Sequence, residues 1–158
     1  MRSTLFLSFC LLAIPAAWAE TPGARAPDGA PAASAPAKPR LDLSGRSRTG
    51  KASFYARKFA GRKMADGTPM DPADDNAASR TLPLGTTARV TNLETGQSAV
   101  VTIQDRGPYV KGRIVDLSPS TAQKIGITRE EGVAPVEVAP ITVPLPDGSV
   151  KRGEALSR

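Results

Sequence analysis

The chain contains no histidine and a single cysteine, Cys10. Without imidazole, and with one thiol at most, the usual zinc sites have no ligands and no disulfide can close within the chain. Aromatic residues make up 4% of the sequence, and no Lys/Arg run is interleaved with them. The stacking platforms of single-strand binders are therefore missing, and no nucleic-acid partner is expected. No apolar run reaches the roughly 20 residues of a transmembrane helix. Neither a cofactor nor a metal is expected. The acidic stretch from Asp71 to Asn76 lacks the glycine and the distant glutamate of an EF-hand loop. There is no internal repeat.

What is present begins with a leader. Arg2 precedes an apolar run from Leu5 to Ile14, and Ala17-Trp18-Ala19 forms a small-x-small site, so residues 1–19 are read as a secretory signal peptide. Cleavage near Ala19 removes Cys10. Lipidation at Cys10 is not expected, because the bulky Phe9 stands where a small residue is needed. The mature protein is expected to be exported and soluble, periplasmic or secreted, and monomeric. The full chain has a formal charge of +6, and the leader takes away only Arg2, so a basic protein remains. Outside the cytoplasm its long-range field meets cell-wall glycan, anionic polysaccharide and lipid headgroups.

Residues 20–49 are rich in Pro, Ala and Gly. They cannot bury enough apolar surface to offset their ordering entropy and are expected to form a disordered linker. Residues 50–144 form the expected domain and 145–158 a polar, loose C-terminal tail. Within the domain, Lys51 to Ala56, Thr86 to Thr91, Gln97 to Ile103, Arg113 to Asp116 and Val133 to Ile141 read as short strands. Gly96 suits the left-handed position of a hairpin loop between the second and third. Pro135 and Pro140 place the last strand at an edge or at bulges. Ser118 as N-cap, Pro119 at the first helical position and Gly126 past the end mark one helix. A weaker helical turn fits Asn76 to Ser79. Many short strands with one or two short helices predict a mainly β, compact barrel.

The motifs GKASFYA (Gly50 to Ala56), ADGTPMDP (Ala65 to Pro72), TLPLGT, VTNL and DRGPYVKGRIVDLS (Asp105 to Ser118), in this order and spacing, resemble the RlpA (rare lipoprotein A) family. The resemblance covers Gly50 to about Ile141. It implies a six-stranded double-psi β-barrel that binds peptidoglycan. In family members it also implies endolytic lytic transglycosylase activity, cleaving between N-acetylmuramic acid and N-acetylglucosamine to leave 1,6-anhydro ends. The family carries a Glu and a His where this chain has Thr68 and Ser79. Neither replacement titrates near neutral pH. The alternative is a non-catalytic peptidoglycan-binding or expansin-like barrel module. No sporulation-related repeat domain is seen.

Candidate site residues follow from both readings. Asp105 is the first choice for a catalytic acid/base, against a competing role as cap of its own Asp-Arg-Gly-Pro turn. Asp71 is a second candidate acid, though a turn before Pro72 explains it as well. Asp116 is read as framework, paired with Arg113 or Arg106. Thr68 and Ser79 are candidates for hydrogen bonds to glycan hydroxyls. Tyr55, Phe54 and Tyr109 are candidates for stacking on a pyranose face, with one of Phe54 and Tyr55 turned to the core by strand alternation. Arg80, Arg106 and Lys111 are candidates to face muramic lactyl or peptide carboxylates.

Overall fold

The computed structural model describes residues 40–156. The signal peptide, Cys10 and residues 20–39 of the expected linker lie outside the described residues, while residues 48–49, assigned to that linker, belong instead to the first strand, whose pairing with the barrel orders them. The elements are β1 (Arg48–Phe54), β2 (Asn76–Ala78), β3 (Thr87–Asn92), β4 (Ser98–Asp105), β5 (Arg113–Leu117), α1 (Pro119–Lys124), β6 (Val133–Pro144) and β7 (Val150–Arg152). Short 3-10 turns lie at Arg57–Phe59 and Glu154–Leu156.

Six strands close on themselves in the order β1-β5-β2-β4-β3-β6, and β6 pairs with β1 to shut the ring. Within this ring β1 runs parallel to β5 and β2 parallel to β4, while the other pairings are antiparallel. The two interleaved parallel pairs make it a double-psi β-barrel. Its interior is filled by the inward halves of alternating strands. On β6, Ala134, Val136 and Val138 are buried while the residues between them are partly exposed. Val90, Val101, Ile103, Val115 and Leu117 complete the centre of the core. Burial of each such Val, Leu or Ile side chain contributes roughly 1.5–3 kcal/mol of transfer free energy.

The helix forms where its caps predicted it. Ser118 Oγ accepts the Thr121 N–H at 3.1 Å, Pro119 opens the helix, and Gly126 takes a φ of +78° beyond its end. The buried Ile125 carbonyl at the helix C-cap is not left bare: Asn92 Nδ2 and Thr95 Oγ1 both donate to it. The β3–β4 hairpin turns at Gly96, φ +72°, as its sequence predicted.

Three more expectations are corrected. Asn76 to Ser79 does not form a helical turn; Asn76–Ala78 is β2, buried along its whole length between β4 and β5. Two methyl side chains are what this crowded centre admits, and pairing on both edges outweighs the helical propensity of alanine. The last strand is no edge strand, for β6 pairs with β1, β3 and β7 along successive stretches. The other expected placement, a bulge, holds: Pro140 sits at a register shift against β3, the bulged position that the missing N–H requires.

The residues after Pro144 are not loose either. Val150–Arg152 pairs with β6, Gly153 N–H donates to Ile141 O, and Glu154 Oε2 accepts both the N–H and the hydroxyl of Ser47. The C-terminal segment thereby clamps the entry to β1. Gly153 is required there, since a Cβ would stand 2.1 Å from the Pro140 carbonyl oxygen. Among the described residues no helix is long and apolar enough to cross a membrane.

Candidate active site

The site forms where β4 and β2 end side by side. Register places Ser53 of β1 opposite Asp116 of β5, Asp116 opposite Ala78 of β2, and Ala78 opposite Asp105 of β4. Residues in register share a face, so two carboxylates flank the small Ala78 on one surface. They stand two strand spacings apart, about 10 Å between backbones.

Asp105 ends β4, and its carboxylate is held by three donors. Oδ1 accepts the Ala65 N–H at 3.0 Å and the Arg106 N–H at 2.8 Å, and Oδ2 accepts the Tyr55 hydroxyl at 3.0 Å. The predicted turn-capping contact is thus real, through Arg106 N–H, but it is one of three. Tyr55 remains a neutral phenol: burial first, then the charges of Asp105 and Asp116, push its ionisation well above the ordinary range. Its ring is braced edge-on by Phe59, with centroids 5.9 Å apart. Tyr55 therefore belongs to the Asp105 group, whereas Phe54 packs against the core.

Asp116 is framework, as expected. Arg113 Nη2 donates to both of its oxygens at 2.6 and 2.8 Å, and Ser53 Oγ donates to Oδ1 at 2.6 Å. An alternating strand would turn Arg113 and Asp116 to opposite faces. A register shift at this point of the β1–β5 pair leaves Ile114 unmatched and brings them together. Gly50 makes room for this bulge: a Cβ there would meet Ile114 Cγ2 at 2.6 Å.

The remaining candidates separate into those near Asp105 and those elsewhere. Ser79 donates its N–H to the Asp105 carbonyl, but its side chain is buried and its Oγ accepts the Leu82 N–H at 3.2 Å. Arg106 directs its guanidinium away from Asp105, to the carbonyl oxygens of Ser79 and Leu82. Thr68 lies exposed in the loop that supplies Ala65, with N–H and hydroxyl both turned to Asp66 Oδ1. Asp71 is exposed and caps its own turn through the Ala73 N–H at 2.8 Å. Arg80 and Lys111 are exposed, and Tyr109 projects into solvent at 74% exposure.

The sequence reading did not single out Ala65. A backbone N–H leaves no trace in residue identity, and only the hydrogen bond from Asp66 N–H to the Gln104 carbonyl, which docks this loop on β4, reveals its place. Ser53 was missed for a different reason, since its partner lies on another strand.

The sequence pattern of the lytic transglycolase family matches residues 47–138. Over 91 residues the chain is 50% identical to the probable endolytic peptidoglycan transglycosylase RlpA of Nostoc sp., an alignment covering 56% of this chain and 24% of that protein. Over 102 residues it is 43% identical to the endolytic peptidoglycan transglycosylase RlpA of Vibrio cholerae, covering 65% of this chain and 38% of that one. The chain thus spans well under half the length of these curated relatives. Among solved structures it is similar to an expansin of Clavibacter michiganensis, with a TM-score of 0.46 and 22% identity over 60% of this chain and 50% of that one.

Proposed function

The chain belongs to the lytic transglycolase family, and on that premise we propose that it is an exported endolytic peptidoglycan transglycosylase in which Asp105 acts as both acid and base. The observation that carries this reading is the fixed Asp105 carboxylate at the mouth of the barrel, bonded to Tyr55, Ala65 and Arg106 backbone or hydroxyl donors and to no cation. Among the described residues the ion pairs are Arg48–Asp42, Arg113–Asp116 and Lys124–Asp75, and none involves Asp105.

The reaction needs one carboxyl group. Protonated Asp105 delivers its proton to the oxygen that joins the muramic anomeric carbon to the next sugar, and that bond breaks. The C6 hydroxyl of the same muramic residue then bonds to the anomeric carbon and passes its proton to the Asp105 carboxylate. The acid is regenerated, a 1,6-anhydro end forms, and no water is consumed. Glycoside hydrolysis, by contrast, ordinarily uses a second carboxylate, as base toward water or as nucleophile. In this scheme Tyr55 and the two backbone donors fix the direction in which Asp105 presents its oxygens.

A second reading has its own support. The Ser79 side chain is buried and committed to Leu82, so the position of the family's histidine offers no group to a substrate, and a barrel that binds glycan without cutting it fits that fact. Mass spectrometry of material released from purified sacculi distinguishes the two. Transglycosylase action yields 1,6-anhydromuropeptides that disappear with Asp105→Asn. Retention on sacculi with no anhydro product, from intact or amidase-treated material, leaves only the binding reading.

A further inference from the structure

Beside the Asp105 site, on the far side of Ser79, a cavity of about 80 Å³ opens at the end of the barrel. It is lined by the apolar residues Leu82, Ile114 and Val138 and by four arginines, Arg46, Arg48, Arg80 and Arg113. Two of the four are matched by carboxylates, Arg48 by Asp42 at 2.7 Å and Arg113 by Asp116. Arg46 and Arg80 form no ion pair among the described residues. Arg113 Nε is buried and has no hydrogen-bond partner there, although its Nη2 is committed to Asp116. A buried donor left unmatched is costly. Two arginines without an ion pair and one residue with an unmet buried donor thus border one small hollow, a lining that suits an anion.

Size and lining narrow the anion. Binding pockets for whole small molecules measure about 300–1,000 Å³, so this hollow admits a substituent and not a sugar ring. A lining both apolar and cationic suits a carboxylate with a methyl group beside it, and the planar guanidinium forks match a carboxylate in shape and charge.

We infer that this cavity binds a carboxylate borne by the glycan strand, on a lactyl or peptide substituent of the muramic residue, and so sets which sugar lies against Asp105. This rests on the transglycosylase reading above. Ser79 supplies the link, since it lines the cavity and donates its N–H to the Asp105 carbonyl at 3.1 Å. A carboxylate seated there adjoins Ser79, whose neighbour is the Asp105 backbone, and this favours a muramic residue over an N-acetylglucosamine at the cleavage position.

The test measures binding of the full protein to two preparations of glycan strands released from sacculi, one with free carboxyl groups and one with those groups coupled to methylamine. Wild type is expected to bind the free form at least 10-fold more tightly. Arg46→Gln/Arg80→Gln is expected to bind both forms alike, at the wild-type level for the blocked strands, with an unchanged melting temperature. Arg89→Gln/Arg152→Gln removes the same charge from exposed positions on β3 and β7 and is expected to keep the discrimination. Equal wild-type binding to both preparations, or discrimination that survives in Arg46→Gln/Arg80→Gln, overturns the inference alone. Equal loss in the Arg89→Gln/Arg152→Gln control also overturns it, by assigning the effect to bulk charge. Failure of wild type to bind either preparation overturns the transglycosylase reading and this inference with it.

Discussion

Asp105 and Asp116 stand in one row of the barrel with Ala78 between them, yet their surroundings differ in kind. Asp116 is matched by a bidentate guanidinium and a serine hydroxyl, contacts that neutralise its charge and spend its oxygens. Asp105 meets a phenol and two backbone N–H groups, which orient it without supplying a cation. Its nearest arginine in sequence, Arg106, is drawn off to two carbonyl oxygens. A carboxylate becomes framework when a cation is folded onto it. It stays available for chemistry when its partners are neutral donors.

Exchange of each acid for its amide is the strongest way to break this comparison. Asp105→Asn is expected to lower anhydromuropeptide release by about 10²–10⁴-fold, the usual worth of a positioned acid/base, while the denaturation midpoint barely moves. Asp116→Asn is expected to do the reverse, removing about 1–3 kcal/mol of stability by leaving Arg113 with a neutral partner, as read by urea denaturation. A matching pattern for the two variants would end the distinction.

Gly50→Val attacks the framework side through the backbone. Its side chain collides with Ile114 at the bulge that aligns Arg113 with Asp116, and overpacking of this sort costs about 1–3 kcal/mol. The companion change Ile114→Ala removes the colliding Cγ2 and is expected to recover part of that loss in the same melts. Recovery with any substitution elsewhere in the core would argue against the local collision.

Tyr55→Phe tests the Asp105 side more gently. Loss of one hydrogen bond to a charged group costs roughly 1.5–3 kcal/mol of stability at most, and the loss of orientation at Asp105 is expected to lower release of anhydro products by about 10-fold. An unchanged rate would mean that the backbone donors alone orient Asp105.

The smallest effect belongs to a third carboxylate, Asp75, which has a cation but lies at the surface. Its hydrogen bond from Lys124 is the largest influence, burial opposes it, and Thr121 and the Lys124 charge add to it, leaving its carboxyl below the ordinary 3.8. A lowered folded-state value gives stability that is present at neutral pH and lost as pH falls below about 4 through that range. Solvent screening at such an exposed pair holds the contribution to a few tenths of a kcal/mol. Asp75→Asn is expected to flatten the acid limb of the stability profile by that amount, measured by urea melts between pH 3 and 7. A larger change would show that this pair acts as Arg113–Asp116 does.

Much of the architecture was legible because its signals are local. Ser118, Pro119 and Gly126 delimit the helix from within a few residues of one another, Gly96 turns the β3–β4 hairpin, and the alternation of Ala134, Val136 and Val138 marks a half-buried strand. The motifs around Asp105 also pointed to the acid at a strand end. Asn76 to Ala78 misled because alanine carries helical propensity and nothing nearby announces that two strands will flank it. The C-terminal segment misled because its polar residues read as solvent-facing, whereas Glu154 finds its partner 107 positions earlier, in Ser47.

By itself the sequence determined the mainly β class, the caps, the turn glycines and the presence of Asp105 and Asp116 in one short segment. Only the tertiary structure decided that Asp116 is paired and Asp105 is not. The guanidinium partner of Asp116, Arg113, is local, but the other partners, Ser53, Tyr55 and Ala65, lie 63, 50 and 40 residues away along the chain. The arginine-ringed cavity is likewise assembled from segments that share no local pattern. Helix caps and turns act over a few bonds and are written in adjacent residues. The charge state and reach of a carboxylate depend on what the closed barrel brings within about 3 Å of it, and that distance exists only after folding.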